Sequence, residues 1–596
     1  MKRVLLVPSV RRGNGSGHLV RCLSLARELG PGARVYVSRG SEGASWSAAE
    51  ITLAFPGAAD DIVLDKLGAD ERFDLVLLDR RDTSAEELET WLHRGPVVAL
   101  DEGGAARRAA PYLVDALPLP PARRTEPGPN LSSRGYLDLP VHRRQAAKSA
   151  RKALLAFGGE DPAGLGPKLA RFLVERGFFE PSRLTLVSGA LSRPGASRET
   201  IPEGIAVLGP VQNLKEHLSS WDLVFTSFGL TAFEASWAGC LVAVLDPSAY
   251  HAALSREAGF PSIGTREPET KALSALLEDL PAFAEASARP APPSRESLAE
   301  ALGSLQSKAS GRCPACSSPS RSDIERFPDR SYFRCRGCGL LYMEGFADRP
   351  GRYGKDYFFE EYRAQYGRTY LEDWPVLTAL AAERLDRIDR LVPAAAGKGR
   401  KLLDVGCAYG AFVSEASRRE WESYGLDLAG DAVAHVRDTL RLPAMVADFQ
   451  DPLIDDLVPD GLDCVSMWYV VEHFSELGAV LERAARLLSP GGVLALSTPS
   501  GSGISARKDR RAFLAASPYD HLSVWEPERA ARLLARFGFR VELVRSTGHH
   551  PERFPGAREG DPGWIRSLRG TASRFFRLGD TFEIYARRLA PKGTAT

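Results

Sequence analysis

The sequence predicts an α/β chain: two doubly wound parallel halves in tandem, a small cysteine-bearing module, and a third doubly wound sheet. Three observations carry that reading. Apolar runs of strand length alternate with helix-spaced segments on both sides of a Pro-rich divide. Two Cys-x2-Cys pairs stand together just after the divide. The stretch KLLDVGCAYG, Lys401 to Gly410, reads as a buried strand that runs into a glycine turn and then a helix, AFVSEASRR.

Composition bounds the answer. A chain of 596 residues holds about four domains by length alone. Hydrophobic residues are 44% and charged residues 26%, an ordinary globular balance. A net charge of +1 argues against a general polyanion-binding surface, so nucleic acid is not expected as a partner. No apolar run approaches the ~20 residues that cross a bilayer. The start, MKRVLLVPSV, has too short an apolar core for a signal peptide and reads as a first strand. Eight cysteines do not make a disulfide scaffold at this length, and four are clustered, so a reducing cytoplasm is expected.

The first half, 1–145, runs from RVLLVPSV through LVLLD and VVALD. After its first strand comes GSGHLVRCLSLARELG (15–30), where Gly15 and Gly17 relax the loop and His18 starts a helix. An imidazole at a helix N-terminus is favoured as the neutral base. It could activate water against a phosphorylated sugar carbon. The second half, 146–280, begins at KALLAFGG and continues through LTLVSG, IAVLG, LVFTS and LVAVLD. It presents Gly158 and Gly159 after one strand, and Gly229, Thr231 and Glu234 after another. Backbone amides at such turns suit a diphosphate, and Glu234 suits ribose hydroxyls.

Together these segments resemble the UDP-sugar hydrolase of the pseudaminic acid pathway and the related spore-coat polysaccharide family, over roughly residues 1–265. The most specific part is G-x-G-H-x-x-R-C-x-x-L-A, matched by Gly15 to Ala26. The resemblance implies a glycosyltransferase-B-like pair of Rossmann-like halves, a UDP-sugar in the cleft between them, and His18 as catalytic base. Two departures stand out: Tyr250-His251 replaces the family's Asn-Gln, and SVRRGNGSG replaces its acidic-serine opening. His251 reads as a packing residue.

The segment 281–311, with Pro290, Pro292 and Pro293, is expected to be a linker. Cys313, Cys316, Cys335 and Cys338 follow in 312–345 with the formula C-x2-C-x18-C-x2-C, inside the zinc-ribbon range. Four thiolates make a closed tetrahedral shell, so the expected zinc is structural. Cys22, Cys240, Cys407 and Cys464 are assigned to no metal. The aromatic segment 346–395, with Tyr357, Tyr362 and Tyr366, reads as a helical cap or as a lid over a sugar acceptor.

In 396–596, Asp404 precedes the turn made by Gly406 and Gly410. Asp427 closes the next strand, YGLD, roughly 20 residues on, where a ribose-binding acid belongs. Asp448 closes AMVAD. This set resembles the cofactor site of class I S-adenosylmethionine (SAM) methyltransferases, and the likeness covers roughly 396–592. It implies Asp404 near the amino-acid moiety, Asp427 on the ribose and Asp448 on the adenine amino group, with Ala408 where the family's middle glycine often stands. FGFRVELV and TFEIYARRL suit a closing antiparallel hairpin. Methyl transfer to a hydroxyl or an acidic carbon needs a base. Tyr469, Glu472, His473 and His521 are the candidates, with catalysis assigned to His473 and His521, and O-, N- and C-methylation stay open.

Three functions fit these readings. One is a bifunctional enzyme of nucleotide-sugar or surface-glycan biosynthesis, a UDP-sugar hydrolase or glycosyltransferase joined to a sugar methyltransferase. The second is an RNA methyltransferase that grips RNA with its ribbon. The third is a methyltransferase whose N-terminal domain binds sugar nucleotides without catalysis.

Overall fold

The computed structural model describes residues 2–13, 15–37, 45–55, 63–64, 66–191, 201–287, 296–307, 309–347, 362–363, 367–393, 399–454, 458 and 461–590. The linker prolines Pro290, Pro292 and Pro293, together with Tyr357 and Tyr366, lie outside them. The chain forms two compact units, Met1–Gly311 with Arg326–Arg330, and Arg312–Glu325 with Ser331–Thr596.

The first unit holds two seven-stranded sheets. One comprises β1 (Val4–Pro8), β2 (Ala33–Tyr36), β3 (Val63–Leu64), β4 (Leu75–Asp79), β5 (Val97–Leu100), β6 (Tyr112–Asp115) and β7 (Leu131–Ser132), in the order β3-β2-β1-β4-β5-β6-β7. Among the described residues every strand pairing in it is parallel. The other comprises β8 (Ala153–Leu155), β9 (Leu184–Val187), β10 (Ala206–Leu208), β11 (Leu223–Thr226), β12 (Leu241–Asp246), β13 (Ser262–Thr265) and β14 (Glu267–Pro268), in the order β10-β9-β8-β11-β12-β13-β14. Only β14 runs antiparallel there. The central strands are fully apolar because helices cover both faces; β4 reads LVLLD and is buried throughout. The order reverses between β1 and β4, and again between β8 and β11. At such switch points the loops beyond the carboxyl ends splay apart and leave a crevice.

The second unit begins with β15 (Arg321–Phe327), β16 (Arg330–Cys335, whose first residue belongs to the first unit) and β17 (Leu341–Gly345). Its larger sheet comprises β18 (Arg400–Val405), β19 (Trp421–Asp427), β20 (Ala444–Val446), β21 (Leu462–Trp468), β22 (Leu488–Pro499), β24 (Phe539–Thr547) and β25 (Thr581–Arg588). Its order is β20-β19-β18-β21-β22-β25-β24, with β25 antiparallel to both neighbours. The short strand β23 (Ser523–Val524) leaves this sheet and pairs antiparallel with β17. One apolar core joins Phe333, Leu340 and Tyr342 to Val471, Leu477 and Trp525. The expected closing hairpin is antiparallel, but it is not tight. Residues 548–580, with the helix Gly563–Phe575, intervene between β24 and β25.

Candidate functional sites

The helix Gly17–Leu29 follows β1 and packs His18, Arg21 and Cys22 inward. β4 ends in Asp79, the hub of the site. Its Oδ1 lies 2.7 Å from His18 Nδ1, and Arg21 donates to both of its oxygens at 2.5 and 2.7 Å. Arg21 also donates to Asp101 at 2.7 Å, and Asp101 in turn accepts the Ala116 and Leu117 amides. Burial by itself would raise the Asp79 carboxyl, but Arg21 and then His18 overrule it and hold the group well below the carboxylate range. An ionised Asp79 accepts only, so His18 donates to it from Nδ1, which leaves Nε2 for the cleft that the ring lines. Asp79 had not been singled out in the sequence. Its signal was a lone acid at the carboxyl end of an otherwise apolar strand.

His18 opens onto a cleft of about 1300 Å³ between the two sheets of the first unit. Every expected substrate residue lines it: Gly17, Gly158, Gly159, Gly229, Thr231 and Glu234. Gly159 is required by contact, since a Cβ there would sit 2.0 Å from Ser16 Oγ. Gly229 precedes the helix Leu230–Ala238, whose first amides face no intrahelical acceptor. Burial pushes the Glu234 carboxyl up to about 7, with Lys215 opposing. Asp161, also on the cleft wall, accepts the Leu165 and Gly166 amides at 2.9 Å each and so caps the helix Leu165–Glu175. Arg81 and His251 line the cleft too, although neither was expected there.

In the second unit Asp404 is the penultimate residue of β18, and the chain then turns through Gly406 (φ 73°), Ala408 (φ 46°) and Gly410 (φ 86°). A Cβ on Gly406 would lie 2.4 Å from Val470 Cγ2. Ala408 holds the left-handed conformation that glycine usually takes. Its amide is tied to Asp427 Oδ2 at 2.8 Å, while Oδ1 accepts from the Ala429 amide at 2.9 Å. Asp404 is fully buried and accepts the Ser466 hydroxyl at 2.7 Å. Desolvation pushes it up to about 7. Asp427 is raised as well, by burial first. Asp448 accepts the Gln450 amide at 2.8 Å beyond β20. Leu428 and Val446, beside Asp427 and Asp448 in sequence, are exposed apolar side chains, 51% and 55% accessible. Carboxylates at three successive strand ends, a glycine cradle and an uncovered apolar rim match the chemistry of SAM: a cationic amino acid, a ribose and a flat base.

The expected bases also converge. Tyr469 leaves β21 with φ 59°, a strained conformation for a bulky residue. The turn Val471–His473 follows. His473 Nδ1 lies 3.1 Å from the Asp520 carbonyl, and its ring meets His521 edge-on at 4.8 Å between centroids. Glu472 is buried, and neither carboxyl oxygen finds a hydrogen bond of good geometry among the described residues. Burial lifts it to about 7. Burial and then His473 hold His521 down to about 4. His473 itself is raised, because Asp520 and Glu472 outweigh its burial. The cluster therefore sets His521, neutral at pH 7, beside a carboxyl and an imidazole that are both raised above their ordinary values.

The four cysteines form a cage. Sγ atoms of Cys313 and Cys338, and of Cys316 and Cys335, are 3.5 Å apart, and one sulfur from each of the four lies within 4.8 Å of the others. A tetrahedron with metal–sulfur bonds of about 2.3 Å has edges of about 3.8 Å. The donor set and spacing thus suit a tetrahedral ion.

Residues 377–544 match the family model of a methyltransferase domain. The ubiquinone biosynthesis O-methyltransferase of Nitrobacter winogradskyi is 29% identical over 119 residues, which cover 20% of this chain and 45% of that protein. That of Xylella fastidiosa is 31% identical over 125 residues, 20% of this chain and 50% of that protein. This chain therefore spans half or less of the length of these curated relatives. A SAM-dependent methyltransferase from Archaeoglobus fulgidus, 18% identical, covers 39% of this chain and 100% of its own at a TM-score of 0.29. With its doubly wound sheet, its glycine turn and this family match, the C-terminal part of the chain is a class I SAM-dependent methyltransferase domain.

Proposed function

We propose that the chain joins a sugar-nucleotide enzyme to a SAM-dependent sugar methyltransferase. In this reading the residues divide into a glycosyltransferase-B-like pair (1–145 and 146–280), a linker (281–311), a zinc ribbon (312–345), an aromatic cap (346–395) and the methyltransferase (396–596). The observation that carries it is the His18–Asp79 pair, with His18 on the wall of a cleft lined by Gly158, Gly159, Gly229 and Glu234. His18 takes a proton from water, the water oxygen bonds to the sugar carbon, and the carbon–oxygen bond to the phosphate breaks with its electron pair on the phosphate. Glu234, near neutrality by burial, is suited to share hydrogens with ribose hydroxyls.

In the second unit Asp404, Gly406, Gly410, Asp427 and Asp448 would hold SAM, which supplies an electrophilic methyl group. His521, neutral at pH 7, takes the acceptor's proton, and the Glu472–His473 pair orients it. Cys313, Cys316, Cys335 and Cys338 hold structural zinc. The O-methyltransferase names of the curated relatives favour a hydroxyl acceptor. They also support a second reading of this half, in which the acceptor is a phenolic hydroxyl and the first unit serves another step. Mass spectrometry of products from UDP-sugars, with and without SAM, tests the proposal. Release of UDP together with a sugar heavier by one CH₂ supports it. Label from radioactive SAM found mainly in RNA or protein, and absent from sugars, overturns it.

A further inference from the structure

We propose that Arg81 and His251 form a subsite for a phosphoryl group in the cleft that His18 faces. This rests on the sugar-nucleotide reading of that cleft and assigns charge within it.

Arg81 lines the cleft two residues beyond Asp79 and is half-buried. Among the described residues its guanidinium makes no ion pair. It lies instead against aromatic faces, 5.8 Å from the Phe228 centroid and 5.7 Å from that of Tyr250. A second cation, Arg123, sits 5.0 Å from the Tyr250 centroid. The carboxylates that line the same cleft are otherwise engaged. Asp138 pairs with Lys215, Asp161 caps a helix, and Glu234 is lifted towards neutrality by burial. Arg81 is therefore a partly desolvated cation that Asp101 and Asp79 influence only from a distance, and burial outweighs them and disfavours its charge; an anion in direct contact would offset that cost.

His251 supplies the complementary donor. Ser248 Oγ accepts the His251 amide at 3.4 Å, so its own hydrogen is available to His251 Nδ1 at 2.8 Å. The ring proton then resides on Nε2, as assigned from this network. Burial and then Arg81 hold the imidazole down to about 4, so it is neutral and donates. His18 is set in the opposite sense, because its Nδ1–H donates to Asp79. The two histidines of one cleft are thus held at Nδ1 in opposite ways: His18 donates there and His251 accepts. An anion needs the N–H that this leaves on His251 Nε2. A guanidinium fork suits carboxylate and phosphoryl oxygens alike; the further N–H of His251 and the amides at the helix start after Gly229 favour a phosphoryl group, whose oxygens point in several directions. Phe228 adjoins Gly229, whose helix offers free amides in the same cleft. Tyr250-His251, where the resembled family has Asn-Gln, becomes a working part of the cleft.

The test is titration calorimetry on the full chain with three probes: UDP, uridine and inorganic pyrophosphate. The wild type should bind UDP and pyrophosphate. Arg81→Gln should weaken both by roughly 10- to 100-fold and leave uridine unchanged. His251→Phe should weaken UDP by about 10-fold, and Arg81→Lys should recover part of the loss, which separates charge from misfolding. Pyrophosphate binding that depends on Arg81, with UDP no tighter than pyrophosphate, keeps the subsite and removes the nucleotide reading. Equal UDP affinity in wild type and Arg81→Gln keeps the nucleotide reading and overturns the subsite. If neither UDP nor pyrophosphate binds, both fall.

Discussion

Removing the charge at Asp404 should change how SAM affinity depends on pH. The carboxyl is fully buried, and loss of water pushes it up to about 7, with the Ser466 hydroxyl as its one direct donor among the described residues and Arg384 at a distance. An acid whose native value is raised holds a proton that the unfolded chain has already released. Without ligand, stability therefore falls as pH rises from about 4 towards 7. SAM brings a cationic amino group, which selects the ionised carboxylate. Binding then expels the proton, and affinity is lost as pH falls below the native value. Between pH 8 and pH 5 the ionised fraction drops from about 0.9 to about 0.01, so the dissociation constant should rise roughly 90-fold, or about 2.7 kcal/mol. Asp427, also raised by burial, adds to the slope. Asp404→Asn keeps the shape and removes the titration, so only the Asp427 share should remain, with weaker binding throughout. Calorimetry across that range on both proteins checks this. Parallel pH profiles for wild type and Asp404→Asn would refute the assignment of Asp404 to the cofactor's amino-acid end.

Other expectations follow from the remaining sites. Asp79→Asn leaves the strand intact but presents an amide to His18 Nδ1, so turnover of the sugar nucleotide should fall roughly 10³-fold with binding little changed; steady-state kinetics reads the split between kcat and KM. His18→Ala should abolish UDP release and spare methyl transfer, and equal loss of both activities in a folded protein would contradict the assignment of separate sites. Cys335→Ala should lose stoichiometric metal by elemental analysis and melt at lower temperature. Glu472→Gln should slow methyl transfer about 10²- to 10⁴-fold while SAM affinity stays level.

The parallel sheets and the cofactor turn were legible in the sequence because they depend on local order. A strand, a glycine and a helix must follow one another within a few residues, and the acids at positions 404, 427 and 448 mark successive strand ends. The four cysteines were legible for the same reason. What the sequence left hidden depends on distant pairing. Asp79 reaches His18 across two adjacent strands of one sheet. Arg81 reaches Phe228 and Tyr250 across the cleft. His251 looked like packing because its role depends on Ser248 and Arg81, and nothing in YHAAL shows the second. The aromatic segment expected as a lid was legible only as composition, and most of it lies outside the described residues; Tyr362 donates to Asp373 at 2.8 Å.

The strand β23 has a mechanical meaning. It ties Leu341 to Val524 and Tyr342 to Ser523, while the Met343 amide donates to the Leu522 carbonyl at 2.9 Å. Tyr332 donates to the Leu514 carbonyl at 3.1 Å, and the Ala347 amide donates to the Tyr519 hydroxyl at 2.7 Å. The segment that carries Asp520 and His521 is thereby laced to the sheet that the cysteine knuckles close. With the proposed zinc bound, the cage would act as a splint, standing outside the chemistry while steadying the angle at which His521 meets His473. On that proposal chelation should erode methyl transfer before it erodes SAM binding, making metal supply a throttle on methylation.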